Sequence, residues 1–404
     1  SRLVSPVRSN TRHTEVPMDA SRDGSAPLPE LLQRARVIVA VGSGGVGKTT
    51  TSAAMAIAAA RQGRRCAVLT IDPARRLAQA LGIERMGNTP TALPTELVGP
   101  GAVDAMMLET AEAFDDLIAR LVTEPARRER LLANRLYQVI ARHLGGTHEY
   151  MAVEKLYALS LDPRYDLIVL DTPPSVNALD FLDAPKRLAS FFSERVTRFF
   201  VRRESENKGI FQRLKDRAGE LALSVLSKAF GDSFVEEVQD FATAFQGLFV
   251  AFRERGEMVA ALLEDPATAF VVVSGADPVR VAEALEFSTT LERLSITPRV
   301  FLVNRVHEPS DEPVQTFSVA LLHEALGDDA HTQDTALLTE GLERAQRLYG
   351  ALEQRDRAGL AELGHHVGAE RIVVVPELDA EVGDRSAVEH VLRALGAPRE
   401  ATGG

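Results

Sequence analysis

Short apolar runs alternate with segments of helical spacing along most of the chain. The first run, Val37 to Val41, ends at a glycine-rich turn, and the Ala-rich segment from Lys48 to Arg61 has strong helix propensity. Further apolar runs predict strands over 66–71, 102–108, 166–170, 270–273, 300–303 and 372–375. Continuously apolar strands separated by helices are typical of a parallel sheet covered on both faces. The pattern therefore predicts a doubly wound, mostly parallel α/β fold.

The same pattern divides the chain into segments. Residues 1–30 show no periodicity and predict a flexible N-terminal arm. Strand-like runs are absent from 181–264, where apolar and charged residues repeat at helical spacing, so this stretch predicts an inserted helical subdomain. Residues 313–367 predict a smaller helical insert. The core is then expected to consist of 31–180 and 265–398.

Composition and charge narrow the class of protein. The 404 residues include 45% hydrophobic and 25% charged side chains, which is typical of a globular protein. The net charge of −11 argues against broad nucleic-acid binding, because such binding neutralises phosphates with a basic surface. The single cysteine, Cys66, excludes an internal disulfide and a metal site built from several thiolates. With no apolar run of the ~20 residues that span a bilayer and no signal peptide in view, a cytoplasmic location is expected.

The strongest chemical signal directly follows the first predicted strand. Residues 42–49 read GSGGVGKT, which fits the phosphate-binding pattern G-x-x-x-x-G-K-[ST] between a strand and a helix. Lys48 would reach the β and γ phosphates, and the Thr49 hydroxyl would bind Mg²⁺. The chain has 6 lysines against 40 arginines, so a lysine here indicates a need for a compact point charge. The predicted nucleotide-binding residues of this segment are Gly44, Gly45, Val46, Gly47, Lys48, Thr49 and Thr50.

Two aspartates follow predicted strands of the same sheet. Asp72 comes after the second strand, where a carboxylate can orient an attacking water; capping of the next helix is the alternative. Asp171 follows the apolar run 167–170 and precedes Thr-Pro-Pro, which is typical of an acid that contacts Mg²⁺, with a turn-forming role as the alternative. A nucleoside triphosphate and Mg²⁺ are therefore the expected ligands, with Lys48 and Asp72 as catalytic residues and Thr49 and Asp171 at the metal.

The choice of base depends on Asn304, which follows a late strand. A guanine site of the G-protein type needs Asn-Lys-x-Asp, whereas Asn304 is followed by Arg-Val-His and the acid is missing. An amide that both donates and accepts suits the N6 and N7 edge of adenine, although a strand-end turn is the alternative role. The sequence thus favours ATP over GTP.

Together these motifs resemble the family of arsenical-pump ATPases (ArsA) and tail-anchored-protein targeting ATPases, whose phosphate loop is a deviant Walker A motif. The resemblance covers most of 36–395 and is closest to an actinobacterial subgroup. It implies a dimeric, Mg²⁺-dependent ATPase in which Asp72 activates water, Asp171 serves the magnesium, and Asn304 with the loop at Pro376 binds adenine. The motifs that carry it are GSGGVGKTT from Gly42, DPAR from Asp72, DTPPSVNALDFL from Asp171, Asn304, and VVPELD from Val374.

Two departures from the family change the expectation. Ser43 stands where the family has a second, signature lysine that reaches the nucleotide of the partner subunit. Its loss predicts slow hydrolysis by a homodimer, or a regulatory chain that pairs with a competent paralogous ATPase. The cysteines that bind metalloid or zinc in relatives have no counterparts, and Asn177 stands near where relatives often have histidine, so neither a zinc nor an arsenite site is expected.

A basic, Phe-rich stretch lies within the predicted helical insert. Residues 185–230 hold 11 basic and 5 acidic side chains together with six phenylalanines. Such a segment predicts a surface for a hydrophobic client or a membrane partner, including peripheral attachment to the inner membrane surface. The alternative is a set of ordinary helices with a buried Phe stripe and a solvated Arg face.

Overall fold

The computed structural model describes most of the predicted core and part of each predicted insert. The described residues are 28–71, 76–84, 86–135, 137–138, 147–172, 248–307, 332–378 and 384–396. Most of the predicted arm, the motif from Asp72 to Arg75, Asn177 and the basic, Phe-rich stretch 185–230 lie outside them.

A single sheet forms the centre of the described residues. Its strand order is β3-β4-β2-β5-β1-β6-β7-β8, and all neighbours are parallel except β3 and β4. The strands are β1 (Val37–Val41), β2 (Arg65–Thr70), β3 (Thr91–Ala92), β4 (Ala102–Met107), β5 (Leu167–Asp171), β6 (Thr268–Ser274), β7 (Val300–Val306) and β8 (Ile372–Pro376). The predicted doubly wound, mostly parallel α/β fold is confirmed.

Helices cover both faces of this sheet. They are α1 (Leu28–Arg34), α2 (Lys48–Arg61), α3 (Arg76–Leu81), α4 (Thr95–Val98), α5 (Thr110–Leu121), α6 (Pro125–Ala133), α7 (Thr147–Ser160), α8 (Leu248–Glu264), α9 (Pro278–Arg293), α10 (Thr332–Val367) and α11 (Asp384–Ala394). In β1, Val37, Val39 and Val41 pack into the core layer shared with α5, α7, α8 and α9. Ile38 and Ala40 pack into the opposite layer with α2 and α11. Burial on both faces explains why the strands are apolar throughout.

Small side chains allow α2 to lie at the centre of one layer. Every residue from Ala53 to Ala60 is at most 1% exposed, and this run is almost entirely alanine. The helix packs against β2, β5 and α11, and the Arg61 guanidinium at its end forms an ion pair with Glu389 of α11 at 2.7 Å. The glycine-rich loop 42–47 is therefore continuous with a helix whose residues 53–60 are fully buried.

Several boundaries differ from the sequence expectation. Residues 28–30 were expected in the flexible arm, but they begin α1, where Leu28 is buried. The second strand runs from Arg65 to Thr70 rather than over 66–71. The described end of the predicted insert 181–264 is α8, which packs against α7 and β6, and the described part of 313–367 is α10. Within the described ranges, the helices fall short of the combination of length and apolarity that a membrane span requires.

A buried ion pair fastens α8 to α7. Glu154 of α7 is 2% exposed, and both of its carboxylate oxygens accept hydrogen bonds from Nε of Arg255, at 2.8 and 2.9 Å. This hydrogen bonding to Glu154 raises the pKa of the Arg255 guanidinium. The pair joins the end of the predicted insert to the core.

Arg255→Ala is expected to lower the free energy of unfolding by about 3–5 kcal/mol, because it leaves the Glu154 carboxylate buried without its cation. Thermal unfolding of the variant measures the loss. The double variant Glu154→Leu/Arg255→Met should recover most of the stability, since it removes both charges and keeps apolar volume. Glu257→Ala, at an exposed position of the same helix, is the control. Equal melting temperatures for Arg255→Ala and Glu257→Ala would contradict this account.

Candidate functional site

The loop between β1 and α2 has a shape that only glycine permits at two positions. Gly42 has φ +149°, and a Cβ on it would lie 2.1 Å from the carbonyl oxygen of Val273 in β6. Gly47 has φ +90°, and a Cβ there would lie 2.3 Å from Nδ2 of Asn304 in β7. Side chains at these positions would collide with the neighbouring strands as well as strain the backbone. The loop is thus held tightly against the carboxyl ends of β6 and β7.

The first turn of α2 presents main-chain amides and one buried ammonium group. Gly47 occupies the N-cap position and has no side chain to accept from the first N–H groups, at the helix end where anions bind favourably. Lys48 is 6% exposed, and its Nζ donates to the carbonyl oxygens of Gly42 and Ser43 at 2.8 and 2.7 Å. Amides and ammonium therefore converge on one loop, as binding of a polyphosphate requires.

A buried carboxylate joins this loop to the end of β5. Asp171 is fully buried, and its Oδ2 accepts from the hydroxyl of Thr49 at 2.8 Å and from that of Thr70 at 2.8 Å. Hydroxyl and carboxylate oxygens are the donors that Mg²⁺ prefers, so the pair Thr49 and Asp171 fits the ion expected from the sequence. Sequence reasoning missed Thr70, although it is a polar residue ending an apolar strand at the same edge.

Asn304 and Pro376 lie on the adjacent strands β7 and β8. Asn304 is 8% exposed and its Nδ2 donates to the carbonyl oxygen of Val46 at 2.9 Å, a contact with the phosphate loop that sequence reasoning missed. The next residue, Arg305, has φ +60° and produces a bulge in the pairing of β7 with β8. Pro376 follows in the register, and its carbonyl oxygen lies 2.7 Å from Nε2 of His390 in α11. Both residues proposed for adenine thus reach the same edge as the loop.

A second buried carboxylate anchors α10 to the end of β7. Oδ2 of Asp356 accepts from the backbone N–H of His307 at 3.0 Å and lies 2.7 Å from Nδ1 of its ring. Arg355 donates to the other oxygen, Oδ1, at 2.7 and 2.9 Å. Burial alone would raise the pKa of Asp356, but these hydrogen bonds outweigh it and hold the pKa below its ordinary value. The carboxylate therefore stays ionised. It attaches α10 to His307, which lies three residues after Asn304 in the chain.

The phosphate loop also has a contact from α9 that sequence reasoning missed. Nη1 of Arg280 donates to the hydroxyl of Ser43 at 2.8 Å. Arg280 lies 237 residues further along the chain, just beyond the carboxyl end of β6. A cation in the first turn of the helix that follows an apolar strand was the available signal, since the carboxyl ends of parallel strands share one edge.

The described residues contain neither a reactive thiol nor a cluster of side chains arranged to bind a metal ion. Cys66 is buried in β2, and burial raises the pKa of its thiol to about 12, so the thiol stays protonated at neutral pH. No group of three or more His, Cys, Asp or Glu side chains within the described ranges is arranged to hold a metal ion.

The sheet brings most of the sequence-predicted site residues to one edge. Asp72, the residue predicted to orient water, lies outside the described residues. Predicted residues at the carboxyl ends of β1, β5, β7 and β8 are Gly44, Gly45, Val46, Gly47, Lys48, Thr49, Thr50, Asp171, Asn304 and Pro376. In a parallel sheet these ends form the crevice where ligands bind.

Comparisons with known proteins identify a family and several similar sequences. The family model described as anion-transporting ATPase matches residues 35–320. An uncharacterized protein of Streptomyces coelicolor is 38% identical over 154 residues, which are 38% of each chain. An arsenical pump-driving ATPase of Acidiphilium multivorum is 35% identical over 37% of this chain and 25% of its own length. The protein named ATPase get3 of Aspergillus terreus is 25% identical over 68% of this chain and 74% of its own. The first two matches thus span well under half of those relatives.

Proposed function

Because this chain belongs to the anion-transporting ATPase family, we propose that it is a Mg²⁺-dependent ATPase whose phosphate loop, residues 42–49, binds ATP. The observation that carries the proposal is the contact between the Thr49 hydroxyl and the Asp171 carboxylate, beside a buried Lys48. That contact joins a phosphate-binding loop to an acid on the neighbouring strand. Such an arrangement serves phosphoryl transfer, where catalysis consists mainly of positioning and charge stabilisation.

Each residue has a distinct role in the proposed reaction. The amides of residues 44–50 cradle the phosphates, and Lys48 binds β and γ oxygens. Thr49 and Asp171 hold Mg²⁺, which when bound offsets the negative charge that develops on the phosphates. Asp72 orients the water that attacks the γ phosphorus. Asn304, with the segment at Pro376, holds the adenine.

The nucleotide state is proposed to control the two helical segments. Asp356 attaches α10 to the strand that carries Asn304, and the Glu154 and Arg255 pair attaches α8 to α7. A change at the nucleotide can therefore reach helices of both predicted inserts through charged, hydrogen-bonded contacts. We propose a cytoplasmic dimer in which the insert handles a hydrophobic client or a membrane partner, as the basic, Phe-rich stretch 185–230 suggests.

Isothermal titration calorimetry with the intact chain tests nucleotide binding. MgATP should give a saturable heat of association at submillimolar ligand, and MgGTP should bind about 10-fold more weakly, since the acid for guanine is missing beside Asn304. Adding a chelator should weaken ATP binding because Thr49 and Asp171 then act without their metal. No heat at millimolar MgATP would overturn the proposal, and equal affinities for the two nucleotides would overturn the assignment of the base.

A second candidate function follows from Ser43. The resembled family has a lysine at this position, so the chain is alternatively a regulatory subunit that binds ATP but turns it over slowly. Turnover is measured for the purified chain alone and after mixing with a paralogous ATPase that keeps the lysine. Acceleration only in the mixture supports the regulatory subunit, whereas full turnover by the chain alone supports the independent ATPase.

A further inference from the structure

A guanidinium group touches the phosphate loop in addition to Lys48. Nη1 of Arg280 donates to Oγ of Ser43 at 2.8 Å and also lies 3.0 Å from Oε2 of Glu283, one turn further along α9. The Arg280 side chain is about one third exposed, so part of it remains in contact with solvent. Neither the sequence motifs nor the proposed roles above account for it.

The main chain around Arg280 is fixed in place. Asp277 caps α9 by accepting from the backbone N–H of Arg280 at 3.2 Å, and Pro278 begins the helix. The Ser274 hydroxyl at the end of β6 donates to the carbonyl oxygen of Arg280 at 2.9 Å. With both of its backbone polar groups bonded, Arg280 projects from a rigid first turn rather than from a mobile loop. This is the kind of support that a residue in a reaction site needs.

Arg280 brings a second cation to the loop that is also contacted by Lys48. A cation in the first turn of a helix opposes the positive end of the helix dipole. Ser43 is contacted by two cations, since Nζ of Lys48 donates to its carbonyl oxygen at 2.7 Å and Arg280 donates to its hydroxyl. The carboxylates of Glu283 and Asp277 also lie beside Arg280. A polyphosphate bound at the loop would lie close to both cations.

We propose that Arg280 is a catalytic residue whose guanidinium binds the γ-phosphate oxygens and stabilises the charge that develops during hydrolysis. This rests on the proposed function. The water oxygen forms a bond to the γ phosphorus as the bond from that phosphorus to the bridging oxygen breaks, and the electron pair stays on ADP. The protons of the water end on inorganic phosphate and solvent. Arg280 supplies its positive charge from the same chain, bound to the loop through Ser43.

Arg280→Ala is expected to lower the single-turnover hydrolysis rate ~10²-fold or more, while the Kd for MgATP changes by less than about 3-fold. The variant should lose a similar factor in affinity for ADP with aluminium fluoride, which resembles the transferring phosphoryl group. Arg280→Lys, which keeps the charge without the planar fork, should recover part of the rate. If Arg280→Ala does not fold stably, the hydrolysis rate of Arg280→Lys still tests the role of the planar guanidinium.

The matched control is Arg293→Ala, an exposed arginine in the last turn of the same helix, which should leave rate and affinity unchanged. An unchanged rate and unchanged aluminium fluoride affinity in folded Arg280→Ala would overturn the assignment of Arg280. Parallel losses of MgATP affinity and rate would also overturn it, because they indicate ground-state binding alone. A wild-type chain that binds no MgATP overturns the proposed function itself, so the two failures are distinguishable.

Discussion

Lys48→Ala is expected to weaken MgATP binding by ~10²-fold or more and to abolish turnover. The ammonium group donates to two carbonyl oxygens of the loop, so it is positioned where the β and γ phosphates would lie. Each hydrogen bond between charged groups is worth about 1.5–3 kcal/mol, and two such bonds account for a loss of this size. Calorimetric titration of the variant with MgATP gives the change in Kd.

Two further variants sharpen this test. Lys48→Arg keeps the charge, but a planar guanidinium does not fit a site where the ammonium is 6% exposed, so we expect it to behave like Lys48→Ala. Lys155→Ala is the control, because Lys155 is half-buried in α7, on the opposite layer of the sheet, and donates to the carbonyl oxygen of Asn88 at 3.1 Å. Its affinity for MgATP should match that of the wild-type chain. Wild-type affinity in Lys48→Ala would refute the assignment of the phosphate loop.

Asp171→Asn is expected to reduce Mg²⁺-dependent turnover ~10³-fold while the fold is retained. The amide fills the same space and can still accept from the hydroxyls of Thr49 and Thr70, but it removes the charge that the metal requires. The expected signature is a large rise in the magnesium concentration needed for half-maximal activity. Titration of activity with magnesium at fixed ATP provides the measurement.

Thr70→Val separates the role of the metal from that of packing. It removes one hydrogen bond to Asp171 and leaves the carboxylate and Thr49 in place. A moderate loss of stability with little change in magnesium dependence is expected. If Asp171→Asn shows the wild-type magnesium profile, Asp171 is a structural acid and the metal is held by other groups.

The sequence predicted the centre of the fold well because glycines mark its boundaries. The strand over 37–41 and the helix over 48–61 agree with β1 and α2 at both ends, since Gly42 and Gly47 fix where each begins or ends. β3 was not predicted, because two residues in an antiparallel edge strand carry no periodicity. α1 was assigned to the arm, although Leu28, Leu31 and Leu32 have the spacing of a helix face.

The site was predictable only where it is local in sequence. The loop residues and Asp171 follow from motifs, and their meeting at one edge follows from the parallel sheet. The contacts of Arg280 with Ser43 and of Asp356 with His307 join positions far apart in the chain, and no spacing rule connects them. For Asn304, the sequence identified a strand-end amide but could not show that its donor contacts Val46.

The alanine-rich run of α2 connects the loop proposed to bind phosphate with the segment proposed to bind the base. The run from Ala53 to Ala60 is closely packed, which favours movement of the helix as one rigid piece. Its far end is bonded to α11 through Arg61 and Glu389, and α11 holds the Pro376 carbonyl through His390. The segments proposed to bind phosphate and base are thereby connected through the protein interior by α2 and α11.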